Sequence, residues 1–101
     1  MIQIRETEKF SNWLRRLRDP AGLARIKRRI QRLAEGHAGD TKSVGGGVIE
    51  LRINSGPGYR VYYVQRATEL IFLLAGGDRS TQSQDINAAI RLAKAALKED
   101  A

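Results

Sequence analysis

Two amphipathic helices are predicted in the first third of the chain. Apolar residues recur at helical spacing from Glu8 to Arg18 and again from Ala21 to Glu35. The positions expected to face inward are Phe10, Trp13, Leu14 and Leu17 in the first helix and Leu23, Ile26, Ile30 and Leu33 in the second. Asp19-Pro20 separates the helices, because the residue before a proline avoids helical backbone angles. The pattern therefore predicts an antiparallel helical hairpin, preceded by a short strand from Met1 to Glu6.

The hydrophobic period changes to two at Val48, which is typical of β-strands. Strands are predicted from Val48 to Ile53, from Tyr59 to Gln65 and from Leu70 to Ala75, the last of them apolar enough to be central. His37 to Gly47 is predicted to be a loop and Thr81 to Lys98 a helix. The inward positions of that helix are Ile86, Ile90, Ala93 and Leu97. The expected order is β-α-α-β-β-β-α, an α+β fold with a mostly antiparallel sheet, in one domain over residues 1–101.

Residues suited to helix ends support these boundaries. Thr7 is an N-cap candidate for the first helix, and Gly36 can end the second helix in the left-handed conformation. Thr81 and Gln84 have the spacing of a capping box at the start of the last helix.

The charge of the chain narrows the choice of partner. Lys and Arg number 18 against 11 Asp and Glu, a formal net charge of +7, and the pI is near 10.4. This balance implies a polyanionic partner, which can be a nucleic acid, an anionic membrane or an acidic protein. Most of the cations are arginines, whose planar guanidinium binds phosphate through two parallel hydrogen bonds. Basic residues can also simply keep a small domain in solution, but the placement of the arginines favours a nucleic acid.

Several classes of protein are disfavoured by what the chain lacks. It has no cysteine, which excludes disulfides and thiolate metal sites and suits a reducing cytosol. Its start becomes charged at once, so we expect no signal peptide and no membrane span, and we predict a cytoplasmic location. His37 is the single histidine, no metal-binding motif occurs, and Gly45 to Gly47 lacks the lysine of a phosphate-binding P-loop. We predict neither a metal nor a cofactor.

Four polar residues are predicted to share one face of the second strand and the third. Glu50 and Arg52 project from the side of their strand opposite to Leu51, and Arg60 shares a face with Tyr62. If the two strands pair, these four side chains can line one concave surface. They can equally form the cross-strand ion pairs of a solvated strand face, Glu50 with Arg52 or Arg60.

The turn from Gly76 to Gln82 is a second candidate. Its glycines let backbone amides approach a ligand, a helix N-terminus follows, and Arg79 adds a guanidinium. Together these features can form a phosphate seat. The alternative is an ordinary capped helix start.

The second predicted helix carries a basic stripe of Arg25, Arg28, Arg29 and Arg32, of which Arg25, Arg28 (or Arg29) and Arg32 fall on one side. This stripe can grip a nucleic-acid backbone without sequence preference, or it can be a solvated helix face. Tyr59 and Tyr62 are the candidates for stacking on a base, whereas Trp13 is better suited to the core.

The chain resembles the RelE/ParE toxin superfamily in ELRINSGPGYRVYYV (Glu50 to Val64) and LLAGGDRSTQSQDI (Leu73 to Ile86). It looks most like the HigB-like branch, the addiction module killer proteins, in FSNWLRRLRD and GDTKSVGGGVIELRI. The resemblance covers nearly the whole chain. It implies a RelE-like microbial RNase fold that acts on messenger RNA, usually in the ribosomal decoding site.

The resemblance also implies roles for individual residues. The basic positions that stabilise the cleaved phosphate in this family fall on Arg52, Arg60 and Arg79. Lys42, Gln82 and the basic stripe are then expected to contact the RNA.

The chain differs from the family in the residues that could accept the 2′-hydroxyl proton during cleavage. RelE-like enzymes often have a lysine where Glu50 stands and a tyrosine near the C-terminus, whereas this chain has no tyrosine after Tyr63. Cleavage by a 2′-hydroxyl needs a group that takes the proton, and arginine is a poor base because it stays protonated. Glu50, Asp85 or an unusually held arginine are the candidates.

The leading hypothesis is a metal-independent, ribosome-dependent endoribonuclease that is the toxin of a type II toxin–antitoxin system. A cognate helix-turn-helix antitoxin is expected to neutralise it in a hetero-oligomer. One alternative is a non-enzymatic inhibitor that binds DNA gyrase, as in the ParE branch. Another is a degenerate toxin whose remaining role is to bind its antitoxin.

Overall fold

The computed structural model describes residues 1–99, apart from the side chains of Leu97 and Glu99. Its strands are β1 (Gln3–Glu6), β2 (Thr41–Gly45), β3 (Val48–Ile53), β4 (Tyr59–Arg66) and β5 (Leu70–Gly77). Its helices are α1 (Glu8–Arg16), α2 (Pro20–Ala34) and α3 (Gln82–Glu99), with a turn of 3₁₀ helix at Arg79–Thr81 before α3. The predicted α+β fold is confirmed, with one more strand than the sequence pattern indicated. The predicted inward position at Leu97 lies outside the described side chains.

Local chemistry explains where the first two helices begin and end. The Thr7 side chain accepts a hydrogen bond from the Phe10 amide at 3.1 Å, which confirms Thr7 as an N-cap. Asp19 accepts one from the Gly22 amide at 3.0 Å, so the residue that breaks the first helix also starts the second. Gly36, with φ of 95°, follows α2 in the left-handed conformation that glycine adopts without steric cost.

The start of α3 differs from the prediction. The capping box forms between Asp78 and Thr81, so the predicted box of Thr81 with Gln84 is wrong. Asp78 caps a turn of 3₁₀ helix by accepting a hydrogen bond from the Ser80 amide at 2.8 Å. The chain therefore turns before α3 begins, and the cap lies three residues earlier.

The strands form one sheet in the order β1-β5-β4-β3-β2. β1 pairs with β5 in parallel, and the other neighbours are antiparallel. β5 is flanked on both sides, in agreement with its predicted central place. Such a strand must be apolar because both of its faces are covered.

A helical layer covers each face of this sheet. α1 and α2 pack on one face through a core that includes Phe10, Ile26, Leu33, Leu51, Val61 and Ile71. α3 packs on the other face over Val48, Tyr62, Leu74 and Ala75, mainly through Ala89, Ala93 and Ala96. Within the described residues, no helix is both long and apolar enough to cross a lipid bilayer.

Part of the loop predicted from His37 to Gly47 is a strand, β2, so the prediction is wrong over that part. Thr41–Gly45 pairs with β3 at the edge of the sheet, and most of its side chains are exposed. An edge strand with little burial lacks the alternating apolar pattern by which strands are predicted. The register shifts between Ser43 and Gly45, where a glycine turn leads into β3.

Candidate phosphate-binding site

The register of the sheet brings the predicted polar residues onto one face. Glu50 lies directly opposite Tyr62, and Arg52 lies opposite Arg60. Gly77 of β5 lies on the other side of Arg60. Side chains of directly opposed residues in antiparallel strands point the same way. The predicted common face is therefore confirmed, and it is the face that α3 covers.

Glu50 is the centre of this group. Its side chain is completely buried, and its oxygens accept hydrogen bonds from Arg52 Nε at 3.1 Å, Tyr62 Oη at 3.1 Å and Gln82 Nε2 at 2.7 Å. Arg60 Nε lies 3.9 Å from the same carboxylate. Burial acts to raise the pKa of Glu50, but the hydrogen bonds from Gln82, Arg52 and Tyr62 and the charge of Arg60 outweigh it, so the pKa is below its usual value. Glu50 is therefore a carboxylate at neutral pH.

Arg60 is held at the start of β4 with little exposure to solvent. Its Nη1 donates hydrogen bonds to the carbonyl oxygens of Gly58, at 3.2 Å, and Tyr59, at 3.1 Å. Its Nε is buried without a hydrogen-bond partner among the described residues. A buried polar atom that lacks a partner is uncommon and calls for an explanation such as a bound ligand.

The side chain of Arg79, from the turn before α3, also lies beside Gly58. Gly58 has φ of 81°, and a Cβ atom built on it would lie 3.3 Å from Nε and Nη2 of Arg79. The guanidinium therefore lies against Gly58, whose carbonyl also binds Arg60. Arg52 completes the group from β3, with a side chain that is 32% exposed. The structure thus brings Arg52, Arg60 and Arg79 around the end of the β3–β4 hairpin.

Asp85 lies at the start of α3, close to the backbone of β5. A Cβ atom on Gly77 would be 1.8 Å from Asp85 Oδ2, so only glycine leaves room for this carboxylate. The Thr81 hydroxyl donates to Asp85 at 2.5 Å. Burial raises the pKa of Asp85, against the opposing effects of the Thr81 hydrogen bond and the charge of Lys9. Its side chain also lines a cavity of about 330 Å³ between α1 and α3.

The two tyrosines predicted to stack on a base are placed differently from that prediction. Tyr59 lies on the opposite face of the sheet, where its hydroxyl donates to Asp19 at 2.8 Å and its ring contacts Trp13. Tyr62 is on the site face but is completely buried beneath α3. Burial, followed by the charge of Glu50, raises the pKa of Tyr62 far above its ordinary value. Neither ring has a free face for a base, because each is packed in one of the two cores.

The basic stripe is also separated from this site. Arg25, Arg28 and Arg32 are exposed, as predicted, but α2 covers the face of the sheet opposite to Glu50. Arg29, between them, turns inward and donates to the carbonyl oxygens of Ala38 and Asp40 at 3.1 and 3.3 Å, and also to that of Arg52. Arg29 thus joins α2 to β3, a structural role that the sequence pattern did not separate from the stripe.

Lys42 and Gln82 lie near Glu50 on its own face. Lys42 of β2 is directly opposite Glu50 and exposed to solvent. Gln82, named as an RNA contact, instead donates its side-chain amide to the buried carboxylate. Thr81, which sequence reasoning named only as a helix cap, and Gly58 were not predicted to be site residues. The only local signal for them was their place in turns rich in glycine.

Among the described side chains, no cluster of three or more histidine, aspartate or glutamate residues could hold a metal ion. The polar groups of the site are guanidiniums, one buried carboxylate, an amide and a half-buried aspartate. Arginines grouped in this way near the end of the β3–β4 hairpin can bind a dianionic or trigonal-bipyramidal phosphate through charge-assisted hydrogen bonds.

The fold that carries this arrangement is that of RelE. The structure matches the E. coli toxin RelE, solved as a mutant in the free state, with a TM-score of 0.70 over 88% of this chain and 93% of that chain. The two sequences are 15% identical, so the similarity establishes the fold.

The chain belongs to the family described as phage derived protein Gp49-like (DUF891), which residues 12–98 match. It is also 48% identical over 93 residues to an uncharacterized protein of Haemophilus influenzae (strain ATCC 51907 / DSM 11121 / KW20 / Rd). That alignment covers 92% of this chain and 94% of the relative.

Proposed function

We propose that this protein is the toxin of a type II toxin–antitoxin system and that it cleaves messenger RNA bound to the ribosome. The observation that carries the proposal is the grouping of Arg60 and Arg79 beside Gly58, with Arg52 directly opposite Arg60 on the same face of the sheet. The buried Nε of Arg60 faces the Glu50 carboxylate at 3.9 Å, and Nη1 is bonded to two carbonyls, so Nη2 is the donor that remains for a phosphate. The RelE-like fold and the basic character of the chain agree with it.

The proposed reaction is attack by a ribose 2′-hydroxyl on the adjacent phosphate, with departure of the 5′-oxygen. Negative charge accumulates on the phosphate oxygens in the transition state, and fixed guanidinium groups stabilise that charge. A metal ion is not needed, because the nucleophile belongs to the substrate.

Asp85 is the better of the two carboxylate candidates for the proton acceptor. It is half-buried beside the site, and burial raises its pKa toward neutrality, which suits a general base. Glu50 is buried, and its oxygens are already occupied by three hydrogen bonds.

The RNA contacts proposed outside the reaction centre are Lys42 beside Glu50 and the stripe of Arg25, Arg28 and Arg32 on the opposite layer. One extended strand of RNA would have difficulty reaching both faces. The stripe is therefore proposed to meet the phosphates of a second segment of folded RNA, in a salt-dependent manner. An antitoxin of the helix-turn-helix type, encoded beside the toxin and bound to it in a hetero-oligomer in the cytoplasm, is proposed to neutralise the chain.

The test is cleavage of a translated reporter message. Purified protein is added to a translation extract, and the 5′ ends of the message are mapped by primer extension. We expect new ends that require ribosomes and that Arg79→Ala reduces about 100-fold. Arg91→Ala, which removes an exposed arginine of α3 away from the site, is the matched control and should cut normally.

Arg79→Ala is preferred to Arg60→Ala because Arg60 is buried and hydrogen-bonded to two backbone carbonyls. Loss of Arg60 would also leave Glu50 less compensated, so misfolding could imitate loss of activity. Intact message at protein levels that stop growth would refute the proposed cleavage. Inhibited supercoiling in a DNA gyrase assay would then favour the non-enzymatic alternative.

A further inference from the structure

The Glu50 carboxylate connects three elements of the site. It contacts Arg52 in its own strand, Arg60 and Tyr62 from β4, and Gln82 from the first turn of α3. We propose that Glu50 is a positioning residue, which holds the guanidiniums of Arg52 and Arg60 and the start of α3 in place for a phosphate, and that it does not accept the substrate's proton. This inference rests on the RNA cleavage proposed above.

The occupancy of the carboxylate argues against a role as base. Oε1 receives Arg52 Nε, and Oε2 receives both the Tyr62 hydroxyl and the Gln82 amide. The side chain has no exposure to solvent. A general base must come within hydrogen-bond reach of the hydroxyl that it deprotonates. Glu50 could do so only if it first broke these bonds and left its buried donors unpaired, which is costly.

The same contacts orient the arginines. Arg52 is held through Nε, so its two Nη groups point away from the Glu50 carboxylate. The Nε of Arg60 faces the same carboxylate at 3.9 Å, an ion-pair contact that is longer than a hydrogen bond. Within the described part of the chain, Nη1 and Nη2 of Arg52 make no hydrogen bond, and Arg60 uses only Nη1, on two carbonyls. Each arginine therefore retains free N–H donors in a fixed direction. Without the buried charge, both long side chains would regain rotamer freedom, which reduces preorganisation for the transition state.

Through Gln82, the Glu50 carboxylate also influences the position of the third arginine, Arg79. The Gln82 amide ties the first residue of α3 to Glu50, and Arg79 lies three residues earlier in the capped turn. The position of Arg79 over Gly58 thus depends on the same carboxylate. One buried charge aligns two guanidiniums directly and the third through a hydrogen bond to α3.

The first experiment needs no RNA. Hydrogen exchange at the arginine Nε–H groups is measured by ¹⁵N NMR in the wild-type protein, in Glu50→Gln and in the control Glu35→Gln, which makes the same change at an exposed position. We expect slow exchange at Arg52 and Arg60 in the wild type and the control, and exchange at least about 10-fold faster in Glu50→Gln, as expected when order is lost locally. Unchanged exchange in Glu50→Gln would overturn the inference.

If Glu50→Gln does not fold, Glu50→Asp serves the same measurement. It retains the charge and a potential base but withdraws the carboxylate by one methylene from Arg52 and Gln82. Faster exchange in Glu50→Asp supports positioning, and wild-type exchange contradicts it.

The second experiment follows the single-turnover rate of cleavage against pH. Positioning predicts that Glu50→Gln lowers the rate about 100-fold, as a misplacement near 1 Å can do, at every pH, so that its profile runs parallel to that of the wild type. Disappearance of the acidic limb in Glu50→Gln alone would identify Glu50 as the base and refute the inference. An inactive wild-type protein would instead refute the proposed function, and the exchange measurement would still decide whether Glu50 orders the arginines.

Discussion

The substitution Tyr62→Phe tests the buried carboxylate through stability. It removes one hydroxyl and keeps the ring, so the packing beneath α3 is preserved. The hydroxyl donates to Glu50 at 3.1 Å, and both side chains are completely buried. A hydrogen bond to a charged group contributes roughly 1.5–3 kcal/mol. Gln82 still donates to the same oxygen at 2.7 Å, so we expect a loss near the lower end, about 1.5 kcal/mol.

The loss should depend on pH in a defined direction. The folded-state pKa of Glu50 is below its usual value of 4.5, and the Tyr62 hydrogen bond is one of the causes. A carboxyl whose pKa is lowered by folding stabilises the folded state above its unfolded-state pKa, and this stability is lost as pH falls through the folded-state pKa. The difference between wild type and Tyr62→Phe should therefore be full at neutral pH and shrink in acid.

Urea unfolding at several pH values measures both effects. Tyr63→Phe is the matched control, because it removes the same atom from a buried tyrosine on the other face of the sheet, away from Glu50. It should show no such dependence in the acidic range. The reasoning is refuted if Tyr62→Phe is as stable as the wild type at neutral pH, or if its deficit is constant down to the pH where Glu50 is protonated.

Three other substitutions probe how the site is held. Gly77→Ala should destabilise the protein by about 1–3 kcal/mol in urea unfolding, because the new methyl would collide with Asp85; wild-type stability would contradict this packing. Arg29→Ala should cost about 1–3 kcal/mol, because partly buried carbonyls lose their charged donor. Arg28→Ala, its exposed neighbour, should cost much less, and equal losses would count against the assigned role of Arg29. Asp85→Asn should stabilise the protein at neutral pH, because folding raises the pKa of Asp85, and the resulting penalty develops as pH rises from the unfolded-state pKa to the folded-state pKa and is complete above it. The same variant should lose RNA cleavage; retained cleavage would exclude Asp85 as the proton acceptor.

Much of the fold followed from local patterns. The apolar spacing of α1 and α2, the alternation in β3 and the apolar run of β5 each reflect burial of one side or of both sides of an element. β2 escaped prediction because an exposed edge strand is held by backbone hydrogen bonds, which any sequence can make. The true capping box escaped because Asp78 and Thr81 cap a short 3₁₀ turn, whose length the sequence does not indicate.

The residues of the site, like the fold, were only partly predictable from local patterns. Alternation by itself determined that Glu50 and Arg52 share a face, and that Arg60 and Tyr62 share one, because successive side chains of a strand point to opposite sides. Only the tertiary structure decided that α3 covers this face and buries Glu50 and Tyr62, that Tyr59 lies in the other core, and that the stripe on α2 faces away. These outcomes depend on which helix packs on which side of the sheet. That choice is made by contacts between residues far apart in the chain, such as Gln82 with Glu50, and no local pattern encodes it.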